Sequence, residues 1–211
     1  MTGLPRKELF NLPQGMIYLD GNSLGPLPVT VAARVQQTVT EEWGAHLIKA
    51  WNQDEWMAQP LRVGKQVARL IGAPEGSVTL GDTLSVKIFQ ALSAALKMRP
   101  TRRVILSDSG NFPSDLYMAE GLIRQLNQNY ELRIVEPEDV VSALNDDVAV
   151  AMITQVDYRT GRLHDMDTFS PLCSQWQPLS PQSFMGNCCR AWLQQPYLWY
   201  FCSSRLPSPL C

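Results

Sequence analysis

The chain has 211 residues and a net charge of -2, with 18 Lys and Arg against 20 Asp and Glu. That is enough for one substantial domain or one and a half, and the scattered bases form no stripe suited to nucleic acid. No apolar run reaches membrane-spanning length and the start, "MTGLPRKELF", lacks the apolar core of a signal peptide, so a soluble, cytoplasmic protein with no membrane partner is expected.

From Pro28 the spacing predicts a helix, with Val31, Val35, Val39, Trp43 and Leu47 recurring every fourth residue and the proline where its missing N–H costs nothing. A second helix is predicted over "QPLRVGKQVARLIG", with Gly72 as its C-cap and Pro74 beyond. "SVTLGDT" reads as a short β-branched strand running into Asp82 or Thr83, both good N-caps. The helix "LSVKIFQALSAALKM" follows, with Leu84, Ile88, Ala91 or Leu92, and Ala95 along one face. Then come strand "RRVILSD", helix "SDLYMAEGLIRQLNQ", strand "ELRIVE", short helix "EDVVSALN" and strand "DVAVAMITQV".

Strands alternating with helices predict an α/β fold with a largely parallel sheet, whose ligands sit beyond the carboxyl ends of the strands. Three polar loops, "GDTLS", "SGNFPSD" and "TQVDYRTG", are expected to converge there. The first sets backbone N–H groups and the Thr83 and Ser85 hydroxyls at a helix N-terminus, which favours an anion. With neither GxxxxGK[ST] nor GxGxxG in the chain, a nucleotide P-loop and a dinucleotide fingerprint are set aside; a phosphate held without them is compatible with pyridoxal phosphate (PLP). Such a site wants a ring stacked on the pyridine, a carboxylate at its nitrogen and a lysine. Phe112 offers the ring, or is an ordinary core aromatic.

Composition breaks near residue 167. Every Asp and Glu precedes residue 168, and all five cysteines (Cys173, Cys188, Cys189, Cys202, Cys211) follow it. A metal site would want paired Cys and His, yet no CxxC is present and no His follows His164. A disulfide module would need an exported chain, and five is an odd count. The third reading, a tail foreign to the preceding domain as after a frameshift or aberrant splice, is favoured.

The motifs "YLDGNSLGPLP" at 18–28, "WNQDEW" at 51–56, "GDTLSVKIFQALSAAL" at 81–96, "GNFPSDLY" at 110–117 and "VDYRTGRLHDM" at 156–166 together resemble the kynureninases of bacterial type. The resemblance covers roughly residues 8–167 and implies the aspartate-aminotransferase-like (type I) PLP fold. It also implies a cytoplasmic homodimer that cleaves L-kynurenine, or 3-hydroxykynurenine, to anthranilate (or 3-hydroxyanthranilate) and L-alanine, in tryptophan breakdown and NAD biosynthesis. Carried over by motif, Leu84 and Ser85 would bind the cofactor phosphate and Phe112 would stack on its ring. Pro113, Ser114 and Asp115 would close the pocket, Thr154 would lie near the cofactor, and Asn22 and Ser23 would border the substrate. Asp157 and Arg159 read as turn and sheet-edge residues.

The resemblance also implies what these residues do not supply. The family's Schiff-base lysine and the Asp that pairs the pyridinium nitrogen lie beyond "GRLHDM", whereas Lys7, Lys49, Lys65, Lys87 and Lys97 all precede "NFPSD" and no Asp follows Asp167. No catalytic residue is therefore assigned and no metal is expected. The expected organisation is an N-terminal arm and helix over 1–50, a partial large cofactor-binding domain over 51–167 and an aberrant tail over 168–211. The expected consequences are an incomplete parallel sheet with an exposed apolar edge, and a chain that is poorly folded beyond residue 167 and inactive by itself. The rivals are a non-catalytic partner of a full-length subunit and another PLP enzyme of the same fold, such as a cysteine desulfurase.

Overall fold

An every-fourth-residue stripe, a capped helix and an apolar strand run each leave a recognisable element in the computed structural model. It describes residues 6–21, 23–165 and 168–169, and the backbone of 189–192 and 198–201. The chain forms two units, residues 1–81 and 82–211.

In the first unit, α1 spans Val31–Gln37 and widens into a π-type segment, Thr38–Trp43. The predicted helix thus begins three residues after Pro28 and loses α-geometry at Thr38. The Thr38 and Thr40 hydroxyls donate back to the carbonyls of Arg34 and Gln36, which pulls helix bonds off the ideal ladder. The five stripe residues are all exposed. A short turn of helix, α2, covers Ala50–Gln53. The α3 helix spans Gln59–Ile71 and stops at Gly72, whose φ of 67° is the left-handed conformation that the predicted C-cap needs.

Residues 77–83, expected as a strand, are not one. The stretch lies along α3 instead: Leu80 N–H donates to the Pro60 carbonyl at 3.2 Å, and Gly64 leaves no room for a Cβ beside the Val78 backbone. Its backbone finds a helix to lean on, so its β-branched side chains never enter a sheet.

The second unit opens with α4, Leu84–Met98, and continues through β1 (Val104–Asp108), α5 (Pro113–Leu126), β2 (Glu131–Val135) and β3 (Val148–Thr154). The predicted helix over 138–145 is only a 3-10 turn, Pro137–Asp139, followed by irregular turns. Its apolar residues serve the core instead, with Val140 and Leu144 buried against one sheet face.

Strand order is β2-β1-β3-β5-β4, where β4 is Cys189–Trp192 and β5 is Leu198–Phe201. The β2, β1 and β3 strands pair in parallel, whereas β5 runs antiparallel to both β3 and β4. The sheet therefore continues beyond β3, with Met152 paired to Phe201 and Thr154 to Trp199, and β4 rather than β3 stands at its end. The remainder of the expected tail, including Cys173, Cys188, Cys202 and Cys211, lies outside the described residues.

One core packs α4 and α5 onto the sheet through Ile88, Leu92, Leu96, Ile105, Leu122 and Met152. The other face buries Val104, Leu106, Val148, Ala151, Ile153 and Phe169. Side chains of β3 alternate between these faces except at Ala149 and Val150, which both point to the first core. There the register against β1 slips: Val104 faces Val148, but Ile105 faces Val150. A bulge of one residue has this effect, and it sets which β3 side chains face each layer beyond it. Because the chain leaves β1 for β2 on one side and returns with β3 on the other, the sheet reverses at β1. The crevice beyond the carboxyl ends of β1 and β3 is where such sheets hold ligands.

Candidate functional site at the carboxyl ends of β1 and β3

The β1 strand ends at buried Asp108, and the chain must turn at once to start α5. Asp108 Oδ1 accepts the Gly110 N–H at 2.8 Å, and its main-chain oxygen accepts the Asn111 N–H at 3.1 Å. Its other oxygen, Oδ2, lies 3.0 Å from His164 Nε2, which ties the end of β1 to the segment after β3. A Cβ on Gly110 would stand 2.9 Å from Asp157 Oδ2 and 3.0 Å from Asp108 Oδ1, so only glycine leaves both carboxylates in place.

Phe112 is the N-cap of α5, with extended backbone (φ -68°, ψ 132°), and Pro113 fills the first helical position, where a missing N–H costs nothing. The Phe112 ring is 39% exposed and meets Tyr158 edge-on at 5.0 Å between centroids. The Arg159 guanidinium lies 5.6 Å from the Tyr158 ring centre. The segment after β3 is a closed turn: Asp157 N–H donates to the Arg162 carbonyl, and Gly161 takes the left-handed φ of 72° that the reversal requires. Asp157 accepts main-chain N–H groups from Arg159 at 2.7 Å and Thr160 at 3.3 Å. Burial pushes its carboxyl up, but these bonds and the Arg159 charge outweigh it and hold Asp157 below the usual carboxylate range.

Asp115, in the first turn of α5, has no exposed surface. Its Oδ1 accepts the Ser114 hydroxyl at 3.2 Å, and its Oδ2 is buried with no hydrogen-bond partner among the described residues. Burial raises its carboxyl to about 6 against the smaller pull of the Ser114 bond. Native interiors seldom leave a carboxylate oxygen unmatched, so this atom marks a place suited to a donor from outside the chain.

Of the residues expected from the sequence, Phe112, Pro113, Ser114, Asp115 and Thr154 gather at this edge. Thr154 is buried at the end of β3, and its hydroxyl donates to Asn111 Oδ1 at 2.8 Å. Leu84 and Ser85 form the first turn of α4, where Thr83 is the N-cap but its hydroxyl makes no capping bond. Leu84 packs its side chain on the α4–α5 core, so its main-chain N–H is what it can offer an anion. Among the described residues, no hydrogen bond or ring contact ties Ser85 to the two other loops. Ser23 belongs to the first unit, where its hydroxyl donates to Asp20 at 2.6 Å; Asn22 lies outside the described residues.

Sequence reasoning missed Asn111, Asp108, His164 and Tyr158. Asp108 reads only as the last residue of a strand and Asn111 as one residue of a polar loop, and nothing in their spacing shows that both are buried. His164 and Tyr158 sit more than forty residues from their partners, and only the sheet brings them together. Of the five lysines, Lys87 is the one on α4 near its start, and it is engaged with Asp82 and Gln90.

No family model matches the chain. It is 51% identical over 176 residues to a kynureninase of Burkholderia pseudomallei, covering 81% of this chain and 42% of that enzyme. With a kynureninase of Pseudomonas fluorescens it shares 48% identity over 173 residues, covering 80% of this chain and again 42% of the relative. Among solved structures, a lysine-to-alanine mutant of C-DES, with glycine covalently linked to the PLP cofactor, superposes with a TM-score of 0.64 at 13% identity. That match covers 82% of this chain and 47% of the other. DndA from Streptomyces lividans gives 0.50 at 18% identity, over 75% of this chain and 46% of its own. The two structural likenesses bear on the fold, an incomplete α/β fold of the type I PLP enzymes, and the two sequence likenesses bear on the family. The chain is similar to kynureninases over four fifths of its own length and spans about two fifths of theirs.

Proposed function

We propose that the second unit is part of the PLP-binding face of a kynureninase that hydrolyses L-kynurenine or 3-hydroxykynurenine to the anthranilate and L-alanine. The observation that carries this reading is Asp115: a buried carboxylate oxygen without a partner, in the same helical turn as the half-exposed Phe112 ring. The chemistry suits PLP, which offers a ring for Phe112 to stack on and polar groups for Asp115 and Thr154. The main-chain N–H groups of Leu84 and Ser85 are offered as the phosphate cradle, and Asn22 and Ser23 as a substrate border.

Bound PLP would supply an electron sink for the negative charge that develops at the substrate's amino-bearing carbon on the way to Cβ–Cγ cleavage. The residues here bind and orient. Phe112 would hold one ring face, Pro113 fixes the direction in which α5 leaves it, and Ser114 holds one Asp115 oxygen while the other stays buried and uncommitted. The lysine that would anchor the cofactor covalently has no counterpart among the five in this sequence, so these 211 residues alone are read as binding PLP reversibly and as catalytically silent. Operation of the whole enzyme as a cytoplasmic homodimer in tryptophan breakdown and NAD biosynthesis is carried with the proposal, on the resemblance. The further reading of this chain as a partner for an intact subunit follows from the same missing lysine.

The experiment is a turnover assay for anthranilate from L-kynurenine with added PLP, run on the 211-residue chain alone and mixed with an intact kynureninase. The proposal expects no product from the chain alone. Product formation by the chain alone would overturn the assignment of the anchoring lysine, and cleavage of cysteine instead of kynurenine by the intact relative would overturn the substrate class.

A further inference from the structure

Asn111 separates the two aromatic and hydroxyl groups assigned to the cofactor, yet it is 3% exposed and offers nothing to a ligand. A side-chain amide has two N–H donors and an oxygen that accepts two bonds. In Asn111 all four are used. Nδ2 donates to the Ser107 hydroxyl at 2.8 Å and to the Met152 carbonyl at 3.2 Å. Oδ1 accepts the main-chain N–H of Phe112 at 2.7 Å and the Thr154 hydroxyl at 2.8 Å. The orientation of the amide follows from this set, because the Phe112 main-chain N–H can only donate and the Met152 carbonyl can only accept. Beneath it, the Ser107 hydroxyl donates to the same Met152 carbonyl at 2.8 Å, so the end of β1 is bolted to the end of β3.

We infer that Asn111 is a positioning residue for the PLP site: it sets the Phe112 backbone from which the stacking ring projects and commits the Thr154 proton inward, leaving the Thr154 oxygen to a ligand as an acceptor. This rests on the PLP reading of the site. The amide acts on the cofactor only through its two neighbours. That separates it from Ser107, which stabilises the same strand ends but bonds neither Phe112 nor Thr154.

The test compares Asn111→Ala and Ser107→Ala with the unaltered chain by two readouts: hydrogen exchange of the Phe112 amide, and PLP affinity from the circular dichroism induced in the cofactor's visible band. Asn111→Ala is expected to expose the Phe112 amide and to weaken PLP by about fivefold to tenfold, the loss for one well-made hydrogen bond. Ser107→Ala is expected to keep Phe112 protected and PLP affinity within about twofold of the unaltered chain, whatever it costs in stability. Equal affinity and equal Phe112 protection in Asn111→Ala would overturn the inference while leaving the PLP reading intact. So would parallel losses in both variants that track global stability. Absence of any PLP signal in the unaltered chain would overturn the PLP reading and the inference with it. Should Asn111→Ala not fold, Asn111→Asp keeps both accepted bonds, and loss of Phe112 protection in that variant would also overturn the positioning role.

Discussion

Replacing Asp115 with asparagine probes a buried carboxylate whose Oδ2 has no hydrogen-bond partner among the described residues. In the folded chain its carboxyl is raised to about 6 from an ordinary 3.8 because burial disfavours the charged form. Between those pH values the folded chain holds the proton and the unfolded chain has released it. The folded state then binds more protons, so stability falls as pH rises through this window and is flat on either side. The full shift corresponds to about 3 kcal/mol at most, and relaxation of the protein around a buried carboxyl lowers this to about 1–2 kcal/mol. Asparagine keeps the shape and a donor but cannot ionise. We expect Asp115→Asn to match the unaltered chain below about pH 4 and to exceed its stability by about 1–2 kcal/mol above about pH 6. The assay is urea unfolding followed by far-ultraviolet circular dichroism over that pH range. Two parallel stability curves would refute the claim that burial leaves Asp115 uncompensated. A variant less stable at neutral pH would show that the carboxylate has a partner in solution.

Phe112→Ala removes the half-exposed ring and is expected to weaken PLP by about tenfold or less, the value of one aromatic stacking contact, with little loss of fold stability, read by a PLP titration. Gly110→Ala must displace Asp108 or Asp157, because its Cβ would stand 2.9–3.0 Å from their carboxylate oxygens. It is expected to cost about 1–3 kcal/mol in urea unfolding and to loosen the turn after β3, visible as faster hydrogen exchange at Asp157 and Gly161.

Much of the second unit could be read from residue pattern alone, since α4, β1, α5, β2 and β3 each have a period, a cap or an apolar run that no neighbour overrides. The α4 helix begins at Leu84 and ends at Met98, as its apolar spacing and Thr83 predict. The elements misread are those whose side chains are used elsewhere. Val78 and Leu80 lie beside α3, where a β-branched run has no strand to pair with, and Val140 and Leu144 plug the core from irregular turns. The π-type segment at Thr38–Trp43 depends on hydroxyls bonding back to the chain, an effect that apolar spacing does not record.

The site divides in the same way. The place of Phe112–Asp115 at the sheet edge was legible because strand, turn and helix N-terminus are consecutive in the sequence, whereas the roles given to Pro113, Ser114 and Asp115 came from the family resemblance. Asn111 was not, because its importance lies in Met152 and Thr154, forty-one and forty-three residues away and brought close only by β1–β3 pairing. Likewise His164 reaches Asp108 across fifty-six positions. The bulge at Ala149 and Val150, which decides which face Thr154 shares, has no signature in a run of alanines and valines.

The central claim is that these residues form a PLP site that lacks its covalent anchor. The most direct measurement is a PLP titration of the 211-residue chain followed by borohydride reduction and mass spectrometry. The account predicts saturable induced circular dichroism from bound cofactor and no added mass after reduction and denaturation. A chain with no saturable signal, or one that carries reduced cofactor on a lysine, would contradict it.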